Sequence, residues 1–150
     1  MSREGKLRLC KWLLAANLCF IWGNSMLSAE ASLAFSNWVK QLLLGLTPGG
    51  GGSGGGSGLL RKIAHFTEFT SLGLCLSWLF LLKEKPGFRA LIWGASAACL
   101  DETIQCFVPG RGPGLKDVAI DVLGVCTGMT MLYLARRIQG KNHYFRRKTI

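Results

Sequence analysis

Long apolar runs, broken by short polar turns, dominate the chain. Four of them stand out, at residues 12–27, 63–82, 88–107 and 118–135. Each comes close to the roughly 18–20 residues that a helix needs to cross a bilayer's hydrocarbon core. The pattern predicts an all-α membrane protein, a four-transmembrane-helix bundle. Between the first and second runs lies NSMLSAEASLAFSNWVKQLLLGL, with Ser25, Ser28, Ser32 and Ser36 at i, i+3, i+7 and i+11. One helical face of serines beside Leu27, Leu33, Phe35, Trp38, Leu42 and Leu43 predicts a short interfacial helix. A cleaved signal peptide competes for the first run. The residues after Asn24-Ser25 offer no clear small-x-small cleavage site, so the run reads as a retained helix.

Composition supports this reading. Apolar residues make up 49% of the 150 and charged residues only 17%, against about 25% charged in a soluble domain. A net charge of +10 would suit a nucleic-acid binder, but its placement argues otherwise. Thirteen of the 18 basic residues fall in three places: the N-terminus (Arg3, Lys6, Arg8, Lys11), the turn after the second run (Lys83, Lys85, Arg89) and the tail (Arg136, Arg137, Lys141, Arg146, Arg147, Lys148). Four spans put these places on one side, and the positive-inside rule makes that side the cytoplasm. The expected location is a multi-pass protein of the cytoplasmic membrane with both termini inside and no nucleic-acid partner.

Residues 1–150 form one domain, interrupted at 49–58 by GGGGSGGGSG. That stretch has the composition of an engineered flexible linker and reads as the replacement of a native loop. The six cysteines lie in or beside apolar runs without a C-x-x-C pair. They are expected to be buried thiols rather than a disulfide or zinc framework.

The polar residues inside the runs carry the chemistry. The second run opens RKIAHFTEFTSLG, which puts His65 and Glu68 on one face. The third holds Asp101, Glu102 and Gln105 near its end. In the fourth, Asp117, Asp121, Gly124 and Gly128 share a face. At about 1.5 Å of rise per residue, His65, Glu68, Asp101, Glu102, Gln105 and Asp121 sit roughly 5 to 12 Å from mid-span, all displaced away from the basic side. A charged side chain at that depth costs at least about 2.5–3.5 kcal/mol, so these groups must face the bundle interior and need partners. Arg111 lies in the turn PGRGPG between runs three and four. Asp117 is placed to cap the fourth helix, and the Gly124–Gly128 pair would let a neighbour approach closely.

Five acids cannot all ionise together there without compensation. Arg61, Lys62, Arg111, Lys116 and a charged His65 are the available cations. Arg61, Lys62, Gln105, Arg111, Lys116 and Asp117 are candidate ligand-binding residues, with the arginines suited to phosphate. His65, Glu68, Asp101, Glu102 and Asp121 are candidate catalytic residues, His65 being the best general acid or base. No nucleophile is identifiable, so whether the protein is an enzyme stays open; a hydrolase or transferase acting at a lipid phosphate or glycolipid is the class that fits. Glu68, Glu102 and Asp121 could hold a divalent cation such as Mg²⁺, Mn²⁺ or Ca²⁺. Three functions compete: a site for an anionic lipid head group, a scaffold whose polar set is structural, and an ion- or proton-coupled transporter formed by an oligomer.

Three motifs in order, R-K-x-A-H-F-x-E-F from Arg61 to Phe69, D-E-x-x-Q-x-F-x-P-G-R from Asp101 to Arg111, and D-x-x-x-D-x-x-G-x-x-x-G from Asp117 to Gly128, resemble the VanZ-like membrane proteins. The resemblance covers the chain apart from 49–58, with Phe69 standing where a tyrosine is more usual. It implies a small bacterial membrane protein, usually of four helices, associated with resistance to the glycopeptide teicoplanin. Such drugs act on lipid-linked wall precursors at the outer face, the side on which the charge pattern independently places the polar residues. The resemblance thus implies a lipid-linked cell-envelope precursor as the ligand to be bound or processed.

Overall fold

The computed structural model describes residues 2–28, 30–32, 34–35, 38, 42, 55–112 and 114–148, the side chains at 55–58 and 140–148 excepted. It is all-helical, with no strand among the described residues. Four long helices run α1 Arg3–Ser25, α2 Gly55–Leu82, α3 Phe88–Gln105 and α4 Leu115–Lys148.

Local chemistry sets their ends. Ser2 caps α1, its side chain accepting from the Gly5 N–H at 3.2 Å. At the other end of α2, Glu84 adopts a left-handed φ of 54°. The Lys85 N–H there reaches back to the Phe80 carbonyl and the Glu84 N–H to that of Leu81, the double closure of a Schellman turn. Pro86 follows and prevents continuation. Arg3 completes this corner: it donates to the Leu82 carbonyl at 2.8 Å and pairs with Glu84 at 2.8 Å. A cation there complements the negative end of the helix dipole.

Helices α2 and α4 run side by side in parallel, and glycine makes the contact possible. A Cβ on Gly124 would fall 2.6 Å from the Phe66 carbonyl oxygen; one on Gly128 would meet that of Thr70, and one on Gly73 that of Val125. The backbones therefore touch over two turns, as the Gly124-x-x-x-Gly128 spacing anticipated. Gly73 is the complementary small residue that the motif did not identify. α1 runs antiparallel to α2, with Cys10 against the Cys75 carbonyl and Asn17 hydrogen-bonded to Ser71. α3 packs a small-residue face of Ala90, Gly94, Ala97 and Ala98 against its neighbours.

The core is one stripe on each helix. On α2 it runs through Phe69, Leu72, Leu76 and Phe80, joined by Ile21, Ala97, Ala98 and Val125. The outside is apolar too: Trp12, Phe20, Ile63, Ile92, Trp93 and Leu123 are all exposed. Meanwhile Ser25, His65, Asp101, Glu102, Gln105 and Asp121 are buried. Polar groups inside and large apolar groups outside invert the usual distribution of a soluble protein. Residues 59–82 and 115–139 are long and apolar enough to cross a membrane. α1 and α3 are more polar because they carry Arg8, Lys11 and Asn17, and Arg89, Asp101 and Glu102.

Several sequence expectations need revision. Ser25 closes α1, and a turn at Met26–Leu27 separates it from Ser28, which accepts from the Ala31 N–H instead. The serines thus do not lie on one continuous helix. From Glu30 onward the described residues of the segment between α1 and α2 are helical, with Phe35, Trp38 and Leu42 exposed at i, i+3 and i+7. Leu33, Ser36 and Leu43 lie outside the described residues. α2 begins at Gly55, inside the glycine-serine stretch, whose residues 49–54 also lie outside. Of the cysteines, only Cys10 is buried; Cys19, Cys99 and Cys106 are exposed, because apolar runs do not reveal which face turns outward.

Candidate functional site

The core stripes continue toward one end of the bundle, and there they turn polar. On α2, His65 sits one turn before Phe69. On α3, Asp101 and Gln105 extend the line of Ala90, Gly94 and Ala97. On α4, Asp121 precedes Val125 by one turn. Up-down-up-down order brings the C-terminal ends of α1 and α3 beside the N-terminal ends of α2 and α4. The groups meet because each occupies the last buried positions of its own stripe.

His65 is the hub. Its Nδ1 lies 3.3 Å from Asp121 Oδ1 and 3.8 Å from Asp101 Oδ2. Asp101 and Asp121 are fully inaccessible, and His65 is only 5% exposed. Gln105 donates to Asp101 Oδ2 at 2.9 Å and to the Ser25 hydroxyl at 3.4 Å. Glu68 lies half-buried beside them, accepting from the Asn24 side-chain amide at 2.9 Å.

Glu102 faces the next turn, where its Oε2 accepts the Gly114 N–H at 2.8 Å. That N–H sits at the start of α4, so Glu102 supplies a contact to the helix N-terminus. The cap expected of Asp117 is not made by Asp117. It is the third residue of α4, and its carboxylate lies 3.7 Å from Arg61.

Arg111 reaches over this group from the turn, donating to the Asn24 carbonyl at 3.4 Å. Its Nε and Nη1 are buried without hydrogen-bond partners. Burial, and after it the neighbouring Arg61, lowers the pKa of the guanidinium from its ordinary value, against the pull of Asp101, Glu102 and Glu68. Arginine remains charged regardless. Lys62 and Lys116 are exposed and make no ion pair among the described residues.

The structure thus brings together His65, Glu68, Asp101, Glu102, Gln105, Arg111 and Asp121, with Arg61 and Asp117 paired at the rim and the two lysines apart. Counted formally, five carboxylates face two guanidinium groups. The site has spare capacity to accept charge and donors: Glu68 Oε2, Asp101 Oδ1, Glu102 Oε1 and both Asp121 oxygens are buried and unpartnered. Sequence reasoning missed Asn24 and Ser25 as site residues. The signal was there in Asn17 and Asn24, seven apart within the first apolar run, a spacing that places both on one face.

A family model described as VanZ/LLP1 matches residues 12–136. No curated protein matches the chain. No solved structure matches it either.

Proposed function

We propose that this chain, which belongs to the VanZ/LLP1 family, spans the bacterial cytoplasmic membrane four times and presents an outward-facing polar site to an anionic lipid or lipid-linked envelope precursor, the process through which it would serve glycopeptide (teicoplanin) resistance. One observation carries the reading. Arg111 is held over a cluster of acids with two guanidinium nitrogens buried and unpartnered. Such a fork suits a phosphate, which would supply the acceptors those nitrogens lack. Glu68, Asp101, Glu102 and Asp121 would then orient amine or sugar groups beside it.

Orientation follows from charge. Arg3, Lys6, Lys83, Lys85, Arg136 and Arg137 collect at the end opposite the cluster. The positive-inside rule therefore puts both termini in the cytoplasm and Arg111 at the outer leaflet. The exposed apolar belt between the two ends supplies the surface that lipid tails would cover.

A second reading has its own support. Asn24–Glu68, Ser25–Gln105–Asp101 and Glu102–Gly114 each tie two helices together, as a purely structural lock would. Native mass spectrometry of the detergent-extracted protein separates the two. Bound phospholipid or polyprenyl-phosphate adducts that disappear in Arg111→Ala and weaken in Glu68→Gln support the lipid site. Equal retention by wild type and both variants overturns it.

A further inference from the structure

We infer that His65, Asp101 and Asp121 form a binding site for one divalent transition-metal ion, Mn²⁺ or Zn²⁺, inside the bundle. One ligand atom from each residue can be chosen so that all three lie within 4.8 Å of one another, and all three residues are buried. His65 Nδ1 stands 3.3 Å from Asp121 and 3.8 Å from Asp101. Ligands held at about 2.1 Å from a common ion are separated by about 3.0–3.4 Å in tetrahedral or octahedral geometry. The His65–Asp121 spacing already falls in that range, and the His65–Asp101 spacing would need to close by about 0.4–0.8 Å.

The unpartnered atoms give an independent pointer. Asp121 is fully inaccessible and neither of its oxygens has a hydrogen-bond partner; Asp101 Oδ1 and His65 Nδ1 lack one as well. A histidine-carboxylate lock would use that Nδ1 as a donor to one of the acids. Here it lies between both, 3.3 Å from one and 3.8 Å from the other, instead of being committed to a single acid. Lone pairs from three side chains converge there, and of their atoms the Gln105 amide reaches only Asp101 Oδ2. Two carboxylates and a dication are together neutral, which suits a buried site far better than two bare carboxylates.

The donor set selects the ion. An imidazole nitrogen with two carboxylates suits Zn²⁺ or Mn²⁺, whereas Ca²⁺ takes six to eight oxygens and thiolate-loving metals find no sulfur here. Glu68 and Glu102, the other acids expected to hold a cation, lie outside the group of three whose ligand atoms converge, and each is engaged elsewhere, with Asn24 and Gly114. Gln105 is the supporting residue: its hydrogen bond fixes the Asp101 carboxylate, as outer partners of metal ligands do. Three protein ligands would leave positions for water or a substrate oxygen. The ion site rests on this ligand geometry and does not depend on the lipid reading.

Mn²⁺ is the sharper probe, because the exposed cysteines could hold Zn²⁺ adventitiously. The full chain, free of any affinity tag and stripped with EDTA, is loaded with Mn²⁺, desalted, and measured for metal content and by pulsed EPR. The expected result is close to one Mn²⁺ per chain with modulation from a coordinated ¹⁴N. The chain has two histidines, His65 and His143. The nitrogen signal should survive His143→Gln and vanish in His65→Gln, while Asp121→Asn weakens binding at least about tenfold. If the His65 and Asp121 variants fail to fold, His143→Gln alone decides, because any remaining ¹⁴N coupling from imidazole must then come from His65. A chain that retains no Mn²⁺ at about 100 μM, or whose nitrogen signal is lost in His143→Gln, overturns the site.

Discussion

The Gly114 N–H donates to the Glu102 carboxylate at 2.8 Å, so a side chain near the end of α3 holds the backbone at the start of α4. The turn between them, residues 106–114, is short and rich in glycine and proline. Without that clasp the turn would have little to fix its course, and Arg111 rides on it. Glu102 therefore positions the arginine as well as lining the polar cluster.

Glu102→Ala should consequently lower stability by about 1–2 kcal/mol, the cost of leaving a part-buried donor unpaired. Glu102→Gln keeps an accepting oxygen and should recover most of the loss. Asp117→Asn should change stability little, since its contact with Arg61 is a half-exposed pair at 3.7 Å. Thermal unfolding in detergent ranks the three variants, and an Asp117 effect larger than that of Glu102 would contradict the assignment.

The α2–α4 contact makes a stronger demand. Gly128→Leu places a side chain against the Thr70 carbonyl and the Leu74 backbone, where no flexible group can yield. Overpacking of this kind costs about 1–3 kcal/mol or more. The variant should melt well below wild type and express poorly. Gly23→Ala is the matched control, because nothing lies within 4 Å of a Cβ at that position.

Asp121→Asn separates stability from function. A buried carboxylate whose two oxygens have no donors destabilises the metal-free fold, so removing its charge should leave the melting temperature of EDTA-treated protein unchanged or higher. The same variant should lose glycopeptide protection in cells. A structural lock predicts the opposite ordering: reduced stability, with any loss of protection following from reduced protein level.

Arg111→Lys tests the geometry of phosphate recognition. Lysine keeps the charge but not the planar fork. Lipid retention should fall to a level between wild type and Arg111→Ala. Retention equal to wild type would mean that charge alone suffices and that the unpartnered nitrogens are irrelevant.

Much of this was legible in the residues. Long apolar runs marked the middles of all four helices, and the few ionisable residues within them had to turn inward, which is why His65, Asp101, Glu102 and Asp121 could be grouped from the sequence. The ends were harder. α2 extends back into glycines, residues that sequence statistics place in loops, and α1 stops at Ser25 although the serine spacing suggested continuation. The exchange of roles between Glu102 and Asp117 was hidden because a helix-start preference is read locally, whereas the contact that won comes from twelve residues earlier on another helix. Asn24 escaped notice for a similar reason: its partner Glu68 is 44 residues away.

The central claim is that the polar cluster opens to the outer leaflet, and labelling from outside the cell tests it most directly. In a chain whose six native cysteines are replaced, Gly112→Cys stands in the Arg111 turn and Lys85→Cys in the opposite one; both positions are exposed. A membrane-impermeant maleimide applied to intact cells should modify the first and reach the second only after lysis. Labelling of Lys85→Cys alone in intact cells would invert the topology and remove the outer leaflet as the source of the ligand.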